Sequence, residues 1–549
     1  MKKAGIALAL AVTFAAARGE AFCGFYVSGA DAKLFNDATQ VVLMREGTRT
    51  VLSMQNDYQG PPSDFAMVVP VPVVLQKENV KTLPKELFKH IDQLDAPRLV
   101  EYWEQDPCAV EADVDRKGGQ GFGNGMGRLG GAHAAKAEDL GVKIEAQFTV
   151  GEYEIVILSA KSSSGLDTWL KQENYKIPDG SEPYLRPYVQ SGSKFFVARV
   201  DAKKVTFDDK GHAALSPLRF HYDTESFNLP VRLGLVNSKG TQDLIVHIVA
   251  KGQRYELANY PNVTIPTNFD VAENARTSFG SSYASLFDRT LEKNQKAIVT
   301  EYSWDAGTCD PCPGPVLSPN DIATLGADVM PETTAAPPAQ GRRFNRSVFS
   351  GYVLTRLHAR YSKESLGEDL VFKAAPPIMG GREVRGTNGD LEHGATPAGT
   401  NNFQGRYAIR HAWGGPVACK EPHRGIWGGP PMGYGGGATT SPKPALDLAF
   451  AVRDAPLASF VRGDITELAV KGEGVPPAPA MPALPDAGNF PTAETSTNAD
   501  AGPPPKADEP SVKKGCMGCA TVPVSSGTPA LALASAILAL FLFRRRADS

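Results

Sequence analysis

Lys194-Phe195-Phe196-Val197-Ala198-Arg199-Val200 and Leu244-Ile245-Val246-His247-Ile248-Val249 are the runs on which the fold class turns. Both are short and rich in β-branched or aromatic side chains, a composition that suits a buried or half-buried strand. The same signature recurs at 41–45, 50–54, 65–71, 143–150, 154–158, 230–235, 297–302, 351–361 and 405–411. Helical periodicity is rarer, at 84–94, 166–174 and 282–295. Ser318-Pro319-Asn320-Asp321 reads as a helix start, with Ser at the cap and Pro at the first position. Strands outnumber helices and do not alternate with them, so the chain is predicted to be α+β and strand-rich rather than a doubly wound parallel sheet.

Working outward, the two ends read as addresses. Lys2-Lys3 precede an apolar run at 4–17 and small residues at Gly19 and Ala21, the layout of a secretory signal peptide over 1–21. Near the other end, 521–543 carries no charge and Arg544-Arg545-Arg546 follows. That length spans a hydrocarbon core, and the arginines place the end in the cytoplasm. Between 472 and 514 the chain is rich in Pro, Ala, Thr and Asp and poor in large apolar residues, so it is expected to form a disordered stalk. The remaining region, 22–471, is expected to be one large or two packed domains. It contains a glycine-rich insertion at 118–131 and a further soft stretch at 331–343.

The 549 residues carry a formal charge of −3, and each end contributes +2, which leaves the region between at −7. This disfavours nucleic acid and anionic lipid surfaces as partners. Gly125-Met126-Gly127-Arg128-Leu129-Gly130 has the spacing of a dinucleotide loop, but no strand delivers it, so no cofactor is expected. His221, His247 and His358 lie in strand-like runs and read as singletons rather than metal ligands. Glu152, Glu154 and Asp167 are carboxylates with no motif around them. No H-E-x-x-H or G-x-S-x-G motif occurs. No catalytic residue is assigned.

Export puts the cysteines in an oxidising compartment, with Cys23, Cys108, Cys309, Cys312 and Cys419 as disulfide candidates. Five is odd, so one stays unpaired within this region. Cys309-Asp310-Pro311-Cys312 is open to three readings: a structural bridge, a redox dithiol or half of a zinc site. The Pro313-Gly314-Pro315 that follows cannot continue a helix, which favours the bridge. Trp413-Gly414-Gly415-Pro416 and Trp427-Gly428-Gly429-Pro430 set two indoles beside tight turns. They read either as loop anchors or as binding loops for a glycan or protein of the envelope.

Several longer runs carry a resemblance. Cys23-Gly24-Phe25-Tyr26-Val27, Asn56-Asp57-Tyr58-Gln59-Gly60-Pro61 and Phe65-Ala66-Met67-Val68-Val69-Pro70-Val71-Pro72 are three of them. Val150-Gly151-Glu152-Tyr153, Leu166-Asp167-Thr168-Trp169-Leu170, Leu229-Pro230-Val231-Arg232-Leu233-Gly234 and the C-x-x-C are the others. Together they resemble the bacterial domain of unknown function 2330 over residues 23–370, extending towards 430. The resemblance implies an exported protein of uncharacterised role and supplies no catalytic residues. Gly515-Cys516-Met517-Gly518-Cys519, the apolar span and the arginine cluster resemble the MYXO-CTERM sorting tail of myxobacteria. That implies cleavage by a sorting protease near Cys516 or Cys519 and attachment at the cell surface. The expectation is a non-enzymatic protein displayed at the envelope by a membrane helix or processed anchor. The competing class is an extracytoplasmic enzyme: a thiol oxidoreductase using Cys309 and Cys312, or a hydrolase.

Overall fold

The computed structural model describes residues 26–27, 39–55, 66–108 and 140–472, apart from 176, 178, 202, 208–212, 238–241, 332–349, 363–366, 383–391, 393, 431–441 and 447–454. All of these belong to one compact unit, Met1–Pro479. The signal segment 1–21, Cys23, the insertion 118–131, the stalk beyond 472 and the tail 515–549 lie outside the described residues. Among the described residues no helix is long and apolar enough to cross a membrane.

The architecture is the strand-rich α+β arrangement expected from the sequence. A large mixed sheet runs in the order Thr396–Pro397, Ile378–Gly380, Asn402–Gln404, Ile298–Asp305, Tyr352–Tyr361, Gln242–Lys251, Thr39–Glu46, Arg49–Met54, Leu218–Asp223, Val80–Thr82. Its central pair, 242–251 with 352–361, is antiparallel over ten residues, whereas 242–251 runs parallel to 39–46. A second, antiparallel sheet contains Tyr26–Val27, Ala66–Val71, Lys194–Val200, Tyr153–Ala160 and Val142–Val150. A third joins Phe269–Asp270, Arg406–His411, Arg98–Glu104 and Trp427–Gly428.

Alternation along the strands assigns the layers. In 194–200, Phe196, Ala198 and Val200 meet Leu244, Val246 and Ile248 of the central sheet in one core. Phe195 and Val197 face the other way, onto the helices Ser163–Gln172 and Glu182–Gln190 through Leu166, Trp169, Leu170 and Leu185. Each such fully buried side chain contributes about 1.5–3 kcal/mol. The far face of the central sheet is covered by the helix Lys85–Asp95 through Leu87, Phe88, Ile91 and Leu94. The helix Phe279–Lys293 covers a further part of that face through Phe279, Tyr283, Leu286 and Phe287. The order of layers is therefore helix, sheet, sheet, helix.

The predicted helix start at Ser318 is present as a capping box. Ser318 Oγ accepts from Asp321 N, and the Asp321 carboxylate accepts from Ser318 N. The strand expected at 230–235 is not formed. Asn228–Leu229 is a short strand, after which Val231 N donates to the Asp369 carboxylate and the chain turns into Gly234–Asn237. Pro230 has no N–H to offer a ladder there, so apolar content alone misreads the segment. Glu182–Gln190 is helical although it contains Pro183 and Pro187, which hide it from periodicity.

Candidate functional site

The helix-covered face of the central sheet is apolar at both ends and ionic in the middle. On 242–251 this face carries Asp243, Ile245, His247 and Val249; on 352–361 it carries Leu354, Arg356, His358 and Arg360. Register sets His247 opposite Arg356 and Asp243 opposite Arg360. On 298–305 the pairing slips between Thr300 and Tyr302, leaving Glu301 without a cross-strand partner. Such a bulge re-aims a side chain, and here it turns the Glu301 carboxylate towards Arg356 and His358. From above, Phe88, Asp92 and Asp95 repeat at i, i+4 and i+7 on the helix 85–95, which lays two carboxylates onto the same strip.

The groups form one continuous chain of contacts. Arg356 Nη1 lies 2.6 Å from Asp92 Oδ1 and 2.8 Å from Asp95 Oδ1, and Arg356 Nε lies 2.6 Å from Glu301 Oε2. His247 Nδ1 donates to Asp95 Oδ2 at 2.6 Å. Glu301 Oε1 accepts from His358 Nδ1 at 2.6 Å and from the Tyr283 hydroxyl. His358 Nε2 lies 3.2 Å from Asp243 Oδ1, which Arg360 Nε also approaches at 2.8 Å. Arg360 continues to Asp288 on the helix 279–293. Phe287 stacks on the His358 ring at 3.8 Å and lies under the Arg360 guanidinium at 4.8 Å.

Burial makes this strip costly unless every charge is matched. Glu301, Asp95 and His247 are wholly buried, and Arg356 and His358 nearly so. A carboxylate only accepts, so both His358 nitrogens donate and the ring is an imidazolium. Burial on its own pushes His358 down, but Glu301 and Asp243 outweigh it and hold it above its ordinary value. Burial pushes Glu301 up, but His358 and Arg356 overcome that and bring it to about 2. Tyr283 is driven well up, by burial first and by the neighbouring Glu301 second.

Asp92, Asp95 and His247 offer ligand atoms within 4.8 Å of one another, the spacing of a metal site. The donors do not fit a metal, because Arg356 Nη1 already bridges the two carboxylates and serves as the cation. His247 Nε2 has no hydrogen-bond partner among the described residues. The strip ties the two covering helices to the sheet through charge, beside the apolar packing on either side.

The C-x-x-C sits at the edge of this strip. Cys309 and Cys312 are bonded to each other, Cys309 half-buried and Cys312 exposed. Carbonyls of the surrounding loop are held by side chains from one covering helix, 85–95, and from two strands, 98–104 and 402–404. Arg98 Nη1 donates to Pro311 O at 2.8 Å, Gln404 Nε2 to Asp310 O at 2.6 Å, and Gln93 Nε2 to Pro313 O at 2.9 Å. His90 Nε2 lies 2.8 Å from Pro315 O. The fully buried Arg98 gives its other terminal amine to Leu94 O at 2.6 Å.

The second bridge, Cys108–Cys419, joins the end of the strand 98–104 to the tryptophan loop across 311 positions. Glu104, buried at that strand end, accepts from Trp413 N and Gly425 N at 3.0 Å and from Arg424 Nη1 at 3.1 Å. Burial pushes Glu104 up, but these three donors hold it below the usual carboxylate range. Trp413 and Trp427 are both half-buried. Trp413 lies against Gly415, where a Cβ would come within 2.6 Å of the ring, and Trp427 pairs with the strand 98–104 under Arg410 at 5.3 Å.

The other residues singled out in the sequence do not converge. Glu152 accepts from Ser216 N, Glu154 pairs with Arg199 and Asp167 with Lys171. His221 lies 3.2 Å from Asn79 Nδ2. The singleton reading of the histidines is corrected for His247 and His358, which are brought against carboxylates by strand register and by the bulge. No sequence motif announces either contact, since their partners lie 152 and 57 positions away.

The family described as an uncharacterized protein conserved in bacteria, domain of unknown function 2330, matches residues 17–373. The chain belongs to this family. In this family member the match takes in every residue of the ionic strip and the Cys309–Cys312 loop, whereas Trp413, Cys419 and Trp427 lie beyond it. No curated protein matches the chain. Among solved structures, a mutated baculovirus P35 after caspase cleavage is similar at 12% identity with a TM-score of 0.20, over 40% of this chain and 66% of that one. The chain thus spans just under two thirds of that structure's length.

Proposed function

We propose that this is an exported binding module, displayed at the cell envelope on its stalk and C-terminal tail. The observation that carries this reading is the disulfide pairing. Two bridges are formed, one of them with an exposed cysteine, and such bridges persist outside the reducing cytoplasm. The signal segment and the basic-flanked apolar tail support the same address. The binding surface is the tryptophan loop at the end of the third sheet. Cys108–Cys419 and Glu104 pre-organise this loop, and Ile426 is an exposed large apolar residue within it. A rigid aromatic loop loses little entropy on binding. The ligand class is an envelope glycan.

Two measurements test this. Cell fractionation with mass measurement of the mature termini should find the protein in the envelope, with 1–21 removed and a tail cut near Cys516 or Cys519; a cytoplasmic, full-length chain overturns the address. Pull-down with isolated envelope glycan should lose most binding in Trp413→Ala and Trp427→Ala. Equal binding by both variants overturns the assignment of the loop.

A further inference from the structure

The two disulfides differ in what their opening would release. Cys108–Cys419 closes across 311 positions and its two cysteines are half-buried. Cys309–Cys312 closes across three, and Cys312 is exposed. The constraint a bridge places on the unfolded chain grows with the logarithm of the loop it closes, so the short bridge contributes the smaller share of global stability. Its position compensates for that. Pro311 O, inside the bridged loop, is one of the two carbonyls that accept from the fully buried guanidinium of Arg98, through its terminal amines. The other is Leu94 O, in the last turn of the helix that carries Asp92 and Asp95. Asp310 O and Pro313 O hold Gln404 and Gln93 in the same way. The loop is therefore latched to Arg98 and to the helix 85–95 at the edge of the ionic strip, and the bridge sets the loop's shape.

We propose that Cys309–Cys312 is a thiol–disulfide exchange site for an extracytoplasmic dithiol, and that opening it unlatches the helix 85–95 from the loop. A thiolate of the dithiol attacks Sγ of Cys312, the exposed cysteine of the pair. The Cys312–Cys309 bond breaks, a mixed disulfide forms at Cys312, and Cys309 leaves as a thiolate that takes up a proton. The second thiol of the dithiol then attacks its own sulfur in the mixed disulfide, and Cys312 is released as a thiol. Two electrons and two protons pass from the dithiol to the bridge, and the dithiol becomes a disulfide. Half-burial of Cys309 directs attack to Cys312, since exchange rates depend on access to the sulfur attacked.

The test uses the full exported chain. Graded dithiothreitol, alkylation and peptide mass mapping should label Cys309 and Cys312 at a rate about tenfold above Cys108 and Cys419, as access predicts. Amide hydrogen exchange over 85–104 should rise on that reduction, while the second sheet at 142–200 stays unchanged. The Cys309→Ser/Cys312→Ser variant should show the same raised exchange without reductant, and its Cys108–Cys419 bridge should remain intact. A parallel arm with reduced thioredoxin separates the sources: faster opening per dithiol than with dithiothreitol marks a protein donor, and equal or slower opening marks a small one. Opening of Cys108–Cys419 first or at the same rate overturns the exchange site. Unchanged exchange over 85–104 in both the reduced protein and the variant overturns the latch.

Discussion

Glu301→Gln is the perturbation that weighs the ionic strip most directly. Glu301 is wholly buried and accepts from Arg356 Nε, His358 Nδ1 and the Tyr283 hydroxyl. Glutamine keeps the shape and removes the charge. One of its two terminal atoms becomes an NH2 group that meets a donor, while two cations lose their shared anion. Removing one partner of a buried pair costs about 3–5 kcal/mol. With an unfolding entropy of roughly 1 kcal/mol/K for a chain of this size, the melting midpoint should fall by about 4 °C. The exposed pair Glu154–Arg199 is the control, because Glu154→Gln should cost under about 1 kcal/mol.

The pH dependence sharpens that test. Glu301 titrates lower in the fold than in the unfolded chain, so its stabilisation is complete above its ordinary value of 4.5 and is lost as pH falls through about 2. His358 titrates higher in the fold, so its stabilisation is complete below 6.5 and is lost as pH rises through its raised value. The gap between wild type and Glu301→Gln is therefore widest between those two ordinary values and closes towards acid. Chemical denaturation from pH 2 to 9 reads it. A gap under about 1 kcal/mol near pH 6, comparable with an exposed pair, would refute the reasoning.

Three further outcomes follow from the same contacts. His358→Gln should abolish the part of the alkaline stability loss that begins above 6.5, and an unchanged slope in the pH–stability profile would place that loss elsewhere. Cys108→Ser with Cys419→Ser should destabilise the chain by up to about 5 kcal/mol, since the bridge closes a loop of 311 positions, measured by denaturant titration. Gly381→Ala should impair folding, because its φ of +70° disfavours a side chain and an added Cβ would overlap the Gln404 carbonyl oxygen; soluble yield and melting midpoint check it.

Much of the fold was legible because it depends on local pattern. The run 194–200 is a strand over the residues quoted, with its alternate side chains sorted between two layers. The helix at 84–94 lies one residue further along, and the Ser318 cap is where its motif indicates. What misled was composition without context, as at 230–235, and proline inside a helix, as at 182–190. The strand 98–104, which anchors the tryptophan loop, was not singled out, because it pairs with 406–411 in a parallel ladder that no local turn announces.

The sequence by itself determined the strand-rich α+β class, the family and the helix cap at Ser318. Each is a property of a contiguous stretch, in which periodicity, charge and turn chemistry act between near neighbours. The tertiary structure alone decided the ionic strip, the pairing of four cysteines and the latching of the 309–312 loop to Arg98. Asp95, His247, Glu301 and Arg356 come from four separate elements, and their meeting depends on strand register and on one bulged residue. A buried charge looks like any other Asp, Glu, Arg or His in the chain. Only the fold, by removing water from around it and supplying the opposite charge, makes it part of a site.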